Sequence, residues 1–161
     1  MEFHIPGCRP EPPKRVNSLS IHLTYAGLHR GELTFETVLT AARRWGAARG
    51  GLREYVIGRE KHTQPANAQR DEHFHCYFKY GKAIDVRDRL HTIVFDLCGQ
   101  GARVLHPELQ GVRRSAADRE AVIRYDIKEK DFVSELISEL ARRLGATARK
   151  ARAPPSERTY L

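Results

Sequence analysis

The sequence predicts one α+β domain, a central antiparallel sheet of about five strands with flanking helices packed against one face. Ser18–Tyr25 and Asp71–Tyr80 alternate apolar and polar side chains with the period of half-buried strands. Phe35, Val38, Leu39, Ala42 and Trp45 recur at helical spacing. The segments run strand, helix, strand, strand, an ambiguous stretch, strand, helix, helix, the pattern of an antiparallel sheet with segregated helices.

A chain of 161 residues fits one domain, and an apolar content of 40% is enough to give it a core. The net charge of +8 favours a polyanionic partner, chiefly nucleic acid. Cys8, Cys76 and Cys98 have no CxxC spacing, so a reduced, intracellular protein is expected, with no disulfide framework or zinc ribbon. No apolar run has transmembrane length, Met1–Glu11 has no signal-peptide pattern, and there is no GxxxxGK[ST] phosphate loop.

Residues 1–16 carry four prolines and read as an irregular lead-in. In the first strand Leu19, Ile21, Leu23 and Tyr25 share the buried face, while Ser20, His22 and Thr24 share the other. Thr34 caps the first helix, and Gly50-Gly51 stops it. Leu52–Glu60 is the second strand, with Tyr55, Ile57 and Arg59 on one face and Glu54, Val56, Gly58 and Glu60 on the other. His62–Arg70 is a polar loop that makes a hairpin with the third strand. That strand puts Phe74, Cys76, Phe78 and Tyr80 on an apolar face and His73, His75, Tyr77 and Lys79 on the opposite, open face. Two histidines at i, i+2 on a strand point the same way, close enough to hold one metal ion.

Gly81–Ala83 reads as a turn, Arg89–Leu97 as helix or strand, and Val104–Leu109 as a short strand that Pro107 confines to an edge or bend. Ser115 opens a helix expected to run to about Lys130, with Ile123 and Ile127 on one stripe. Phe132, Val133, Leu136, Ile137, Leu140 and Leu144 recur at helical spacing, so residues 132–145 read as an amphipathic C-terminal helix ended by Gly145. Residues 146–161 read as a basic flexible tail or linker.

Three separated stretches resemble one family, the HUH-type replication initiator (Rep) endonuclease domain of circular single-stranded DNA viruses, closest to the geminivirus and genomovirus type. His22-Leu23-Thr24-Tyr25 is similar to its first motif, usually Phe-Leu-Thr-Tyr-Pro. His73-Phe74-His75 resembles its second, and Tyr125-Asp126-Ile127-Lys128 its third, Tyr-x-x-Lys on a helix. Arg59-Glu60-Lys61-His62 resembles the Glu-x-His before the second motif, and the likeness spans roughly Ser18–Asp131, within an endonuclease domain expected at residues 17–131. Ala26 stands where the family usually has Pro, and the loop between Glu60 and His73 is longer than is common.

The resemblance implies an RRM/ferredoxin-like HUH endonuclease fold and a rolling-circle initiator that nicks and joins single-stranded DNA at an origin through a covalent 5′-phosphotyrosine. It makes Tyr125 the nucleophile and Lys128 its assistant, and it makes Glu60, His73 and His75 the ligands of a divalent metal, Mn²⁺ or Mg²⁺. A phenol ionises near pH 10, so its oxygen needs a base or a nearby cation. Two imidazoles and a carboxylate suit a hard or borderline ion with open positions for phosphate oxygens.

His22, Thr24, Tyr25 and the loop after Tyr25 are expected at the DNA by the same resemblance. Tyr77 is expected to stack a base, and Lys79, Arg113 and Arg114, with Arg59, Lys82 and Arg87, to guide the strand. His62 is expected as an outer or structural residue, His91 and His106 as ordinary polar ones. The implied partners are single-stranded DNA as an origin stem-loop, a helicase domain or protein in cis or in trans, and further copies of the chain; no membrane is expected. The location implied is intracellular, and nuclear for a eukaryotic virus. The rival reading is a non-catalytic RRM-like module that binds single strands by stacking and charge. Such a module needs no His-x-His, Glu60 or Tyr125-Lys128. A cupin-type metalloenzyme would need a further Glu and His after His75, which the sequence lacks at the required spacing.

Overall fold

The structure, a computed structural model, describes residues 15–61, 72–87, 93–112 and 115–136. The chain builds β1 (Val16–Leu28), α1 (Phe35–Gly46), β2 (Leu52–Lys61), β3 (Glu72–Val86), a 3₁₀ turn (Ile93–Phe95), β4 (Leu97–Cys98), β5 (Val104–Leu105), β6 (Glu108–Gly111), α2 (Ala116–Asp126) and β7 (Phe132–Glu135). Five strands form one sheet in the order β6-β1-β3-β2-β7, and β4 pairs with β5 in a separate ribbon. The four pairings of the main sheet are antiparallel, so the α+β class with a five-stranded antiparallel sheet holds. No helix among the described residues is long and apolar enough to cross a membrane.

Alternation puts the main core on one face. Ile21, Leu23 and Tyr25 of β1, Ile57 of β2, and Phe74, Cys76, Phe78 and Tyr80 of β3 pack against Val38, Ala41, Ala42 and Trp45 of α1. Thr34 caps that helix, its side chain accepting from the Thr37 amide. Gly50 and Gly51 then turn at φ +71° and +84°, angles that a Cβ disfavours.

The opposite face is not open along its whole length. Val56, Tyr77, Val112 and Ile123 form a second, smaller cluster, with Val122, Ile127 and Phe132 packed against it. The two helices among the described residues therefore lie on opposite faces, where the sequence suggested one covered face. The cause is the apolar run Val122-Ile123, which needs burial and finds it over Val56 and Tyr77.

Three element boundaries also differ. Gly81–Ala83 is not a turn between elements; β3 runs through it to Val86, with its register against β1 shifting between the Ser18–Ile84 and Ser20–Lys79 pairs. α2 stops at Asp126, and Ile127–Lys130 is a turn that closes with Lys130 at φ +58°. Phe132–Glu135 is a strand, not the start of a helix. It adds to the β2 edge, Tyr55 pairing with Glu135 and Gly58 with Phe132. Asp131 anchors this junction, its carbonyl accepting from the Arg59 amide at 2.8 Å and its carboxylate from Arg59 Nε at 2.7 Å. An unpaired edge of β2 is a stronger demand than helical spacing over so short a stretch. The predicted lead-in, the loop at 62–70 and the tail at 146–161 lie essentially outside the described residues, as do Arg113 and Arg114.

Candidate active site

The site lies where α2 ends over β1, β3 and β2, and a glycine sets its depth. A Cβ on Gly58 would stand 1.9 Å from the Asp126 carbonyl oxygen. Without one, the backbone at the end of α2 rests directly on β2. A glycine inside a strand commonly marks such an approach. Tyr125 and Asp126 are delivered to the sheet by this contact, and Lys128 follows in the turn.

His75 is the hub. Its Nε2 lies 2.9 Å from Glu60 Oε2, and the other Glu60 oxygen lies 3.1 Å from Lys128 Nζ. The Lys128 ammonium sits over the face of the Tyr125 ring, 4.0 Å from its centroid, and that ring meets the His75 ring edge-on at 4.9 Å. Tyr125, Lys128, Glu60 and His75 thus form a closed circuit of contacts from α2, the turn after it, β2 and β3. Tyr125 is 47% exposed, so its ring is accessible; Lys128 beside it is exposed as well, Glu60 is half-buried and His75 is buried. His73 is opposite Glu60 in the ladder, and its ring stacks on His75 at 6.2 Å.

A second pair lies on the β1 side of His75. His22 Nε2 is 2.7 Å from Asp126 Oδ1, and the His22 ring stacks on His75 at 6.1 Å. His22, His75 and Asp126 each offer one ligand atom, all within 4.8 Å of one another.

Charge follows this geometry. Burial pushes the Glu60 carboxyl upward, but hydrogen bonds from His75 and Lys128 outweigh it and hold the group below the ordinary glutamate range. Burial likewise pulls Lys128 down, and the Glu60 carboxylate more than restores it, so the lysine stays a cation. Asp126 is the reverse case: burial raises it, and His22 compensates only in part.

The sequence-predicted residues divide. Glu60, His73, His75, Tyr125 and Lys128 come together. Thr24 stands opposite His75 across β1 and β3, and Lys79 stands opposite Ser20, so both share the site face. His22 is on that face too, but its ring is engaged by Asp126. Two expected DNA contacts need correction. Tyr25 is 1% exposed on the core face, its hydroxyl donating to the Phe95 carbonyl at 2.6 Å. Tyr77 is fully buried under α2, its hydroxyl donating to Glu54 Oε2 at 3.3 Å, and burial pushes its pKa up to about 12. Neither ring has a face to offer a base. His106, expected as an ordinary polar residue, is exposed and pairs with Asp96.

Sequence reasoning assigned no role to Asp126 or Gly58. A carboxylate beside the tyrosine and a lone glycine in an otherwise regular strand were the available signals, but the partner His22 lies 104 positions away. No family model matches the chain, and no curated protein matches it.

Proposed function

We propose that this chain is a metal-dependent endonuclease and strand transferase of the HUH Rep type, acting on single-stranded DNA through a covalent tyrosine intermediate. The observation that carries this reading is the contact circuit of Tyr125, Lys128, Glu60 and His75, assembled from four places in the chain around one exposed phenol. The five-stranded antiparallel sheet is compatible with the ferredoxin-like layout of such domains.

The residues suit a divalent ion. Glu60 Oε2 and His75 Nε2 stand 2.9 Å apart, about the separation of adjacent ligands around one ion at ~2.1 Å. His73 lies next to both on the same face. Mn²⁺ or Mg²⁺ held by Glu60, His73 and His75 would polarise the scissile phosphodiester.

The chain's own residues account for the rest. Tyr125 loses its phenolic proton to solvent, and Oη attacks phosphorus. The Oη–P bond forms, the bond from phosphorus to the 3′-oxygen breaks, and that oxygen takes up a proton to leave as a 3′-hydroxyl. Lys128, kept cationic by Glu60, places positive charge beside the phenolate and the incoming phosphate. The phosphotyrosine retains the diester bond, so a 3′-hydroxyl can attack it and reseal the strand without a nucleotide cofactor. Thr24 and Lys79 flank the site on the same face and are the described residues proposed to meet the strand.

The test is incubation with 3′-side-labelled stem-loop oligonucleotides and Mn²⁺, with adducts resolved on denaturing gels and mapped by peptide sequencing. The reading expects a single adduct on Tyr125 that chelator abolishes. An adduct on another tyrosine, or single-strand binding with no adduct across a diverse origin library, would favour the non-catalytic module.

A further inference from the structure

We infer that His22, His75 and Asp126 form a second cation site, suited to a borderline ion such as Zn²⁺, on the Nδ1 side of His75. The three residues come from β1, β3 and the last position of α2, and their ligand atoms lie within 4.8 Å of one another. Two imidazoles and a carboxylate are a donor set zinc accepts.

Two orphaned atoms support the site independently of that proximity. Asp126 has a fully buried side chain; Oδ1 meets His22, while Oδ2 is buried with no hydrogen-bond partner. His75 Nδ1 is also buried without a partner, while Nε2 faces Glu60. Buried polar atoms are nearly always satisfied, and a buried carboxylate is costly unless paired or coordinated. The Glu60 contact also fixes the ring: with Nε2–H donating to the carboxylate, Nδ1 carries the lone pair. That is the outer partner arrangement that orients a metal-bound histidine.

One consequence separates this site from the ion of the proposed reaction. A neutral imidazole has one nitrogen lone pair, so His75 serves an ion beside Glu60 through Nε2 or an ion beside Asp126 through Nδ1, not both. An ion seated at Asp126 takes His75 out of the other set.

The experiment is isothermal titration of the full chain with Zn²⁺, repeated for His22→Phe, His22→Gln, Asp126→Asn and His73→Ala, with circular dichroism to verify each fold. One zinc per chain is expected. Asp126→Asn and both His22 variants should weaken it by about 100-fold or more, beyond the usual range for an outer partner, and His73→Ala should leave it within about threefold. His22→Gln keeps a polar group beside Asp126, so loss in that variant reports ligation and not packing. Zinc that persists in Asp126→Asn and His22→Gln but is lost in His73→Ala overturns the inference, as does a wild-type chain that takes up no zinc. The readout is binding alone, so a failure to form the Tyr125 adduct would refute the proposed reaction without touching this site.

Discussion

Replacing Gly58 with alanine tests the way the candidate site is assembled. The added Cβ would fall 1.9 Å from the Asp126 carbonyl oxygen and 2.9 Å from its carbonyl carbon, and real Cβ atoms essentially never approach closer than 3.0 Å. The obstacle is backbone, which no rotamer change relieves. The end of α2 must therefore retreat by at least about 1.1 Å, or β2 must bow by as much. Either motion loosens the 2.7 Å bond from His22 to Asp126 and the 4.9 Å contact of Tyr125 with His75. Overpacking of this kind costs about 1–3 kcal/mol, a fall in melting temperature of roughly 3–12 °C. Misplacing a reacting group by ~1 Å reduces a rate by ~10²-fold. The assays are thermal melting, adduct formation with stem-loop DNA, and the imidazole resonances of His22 and His75 by NMR. Gly111→Ala is the control, because its new Cβ would meet only side-chain atoms, the nearest at 3.3 Å. A Gly58→Ala protein with wild-type melting and unmoved His22 and His75 resonances would refute the argument, whatever the protein's activity.

Further outcomes are expected. Tyr125→Phe should abolish the DNA adduct with little change in melting, since its ring is half exposed; Lys128→Ala should slow adduct formation by ~10²-fold or more while strand binding persists, as followed in a gel time course. Tyr25→Phe should destabilise the fold by about 1–3 kcal/mol in urea titrations by leaving the buried Phe95 carbonyl without its donor, yet leave single-strand affinity unchanged; a large affinity loss would return Tyr25 to the DNA face. Glu32, buried and clamped by Arg103 at 2.5 and 2.6 Å, is held below the ordinary glutamate pKa of 4.5 chiefly by that hydrogen bonding, so its stabilisation is complete above about pH 4.5 and lost as pH falls through the lowered folded value; Glu32→Gln should flatten the acid limb of a melting-temperature profile. Lys79→Ala should reduce the slope of log affinity against log salt by about one if Lys79 meets a phosphate, and an unchanged slope would remove it from the path of the strand.

The sequence alone determined the strands that alternate cleanly and the capped start of α1, although that helix ends at Gly46, ahead of the expected stop at Gly50-Gly51. In β1, β2 and β3 the side-chain period is two, so naming the apolar face also names the face that carries His22, Thr24, Glu60, His73 and His75. Local chemistry sufficed because alternation and the cap at Thr34 act over a few residues. The likeness of short motifs to the Rep family then singled out Tyr125 and Lys128, which spacing alone does not distinguish from a surface tyrosine and lysine.

Tertiary structure decided the remainder. Phe132–Glu135 has apolar spacing that a helix would accept, but the β2 edge offered backbone partners that an isolated segment lacks, and the chain became β7. Tyr77 alternates as an outward residue, yet Val122 and Ile123 needed cover and α2 came down over it. The close approach at Gly58 brought Asp126 to His22 and His75, joining β1, β3 and α2 in one cluster. No periodicity encodes that meeting, because it depends on backbone contact between segments far apart in the chain, and such contacts exist only once the sheet has ordered its strands.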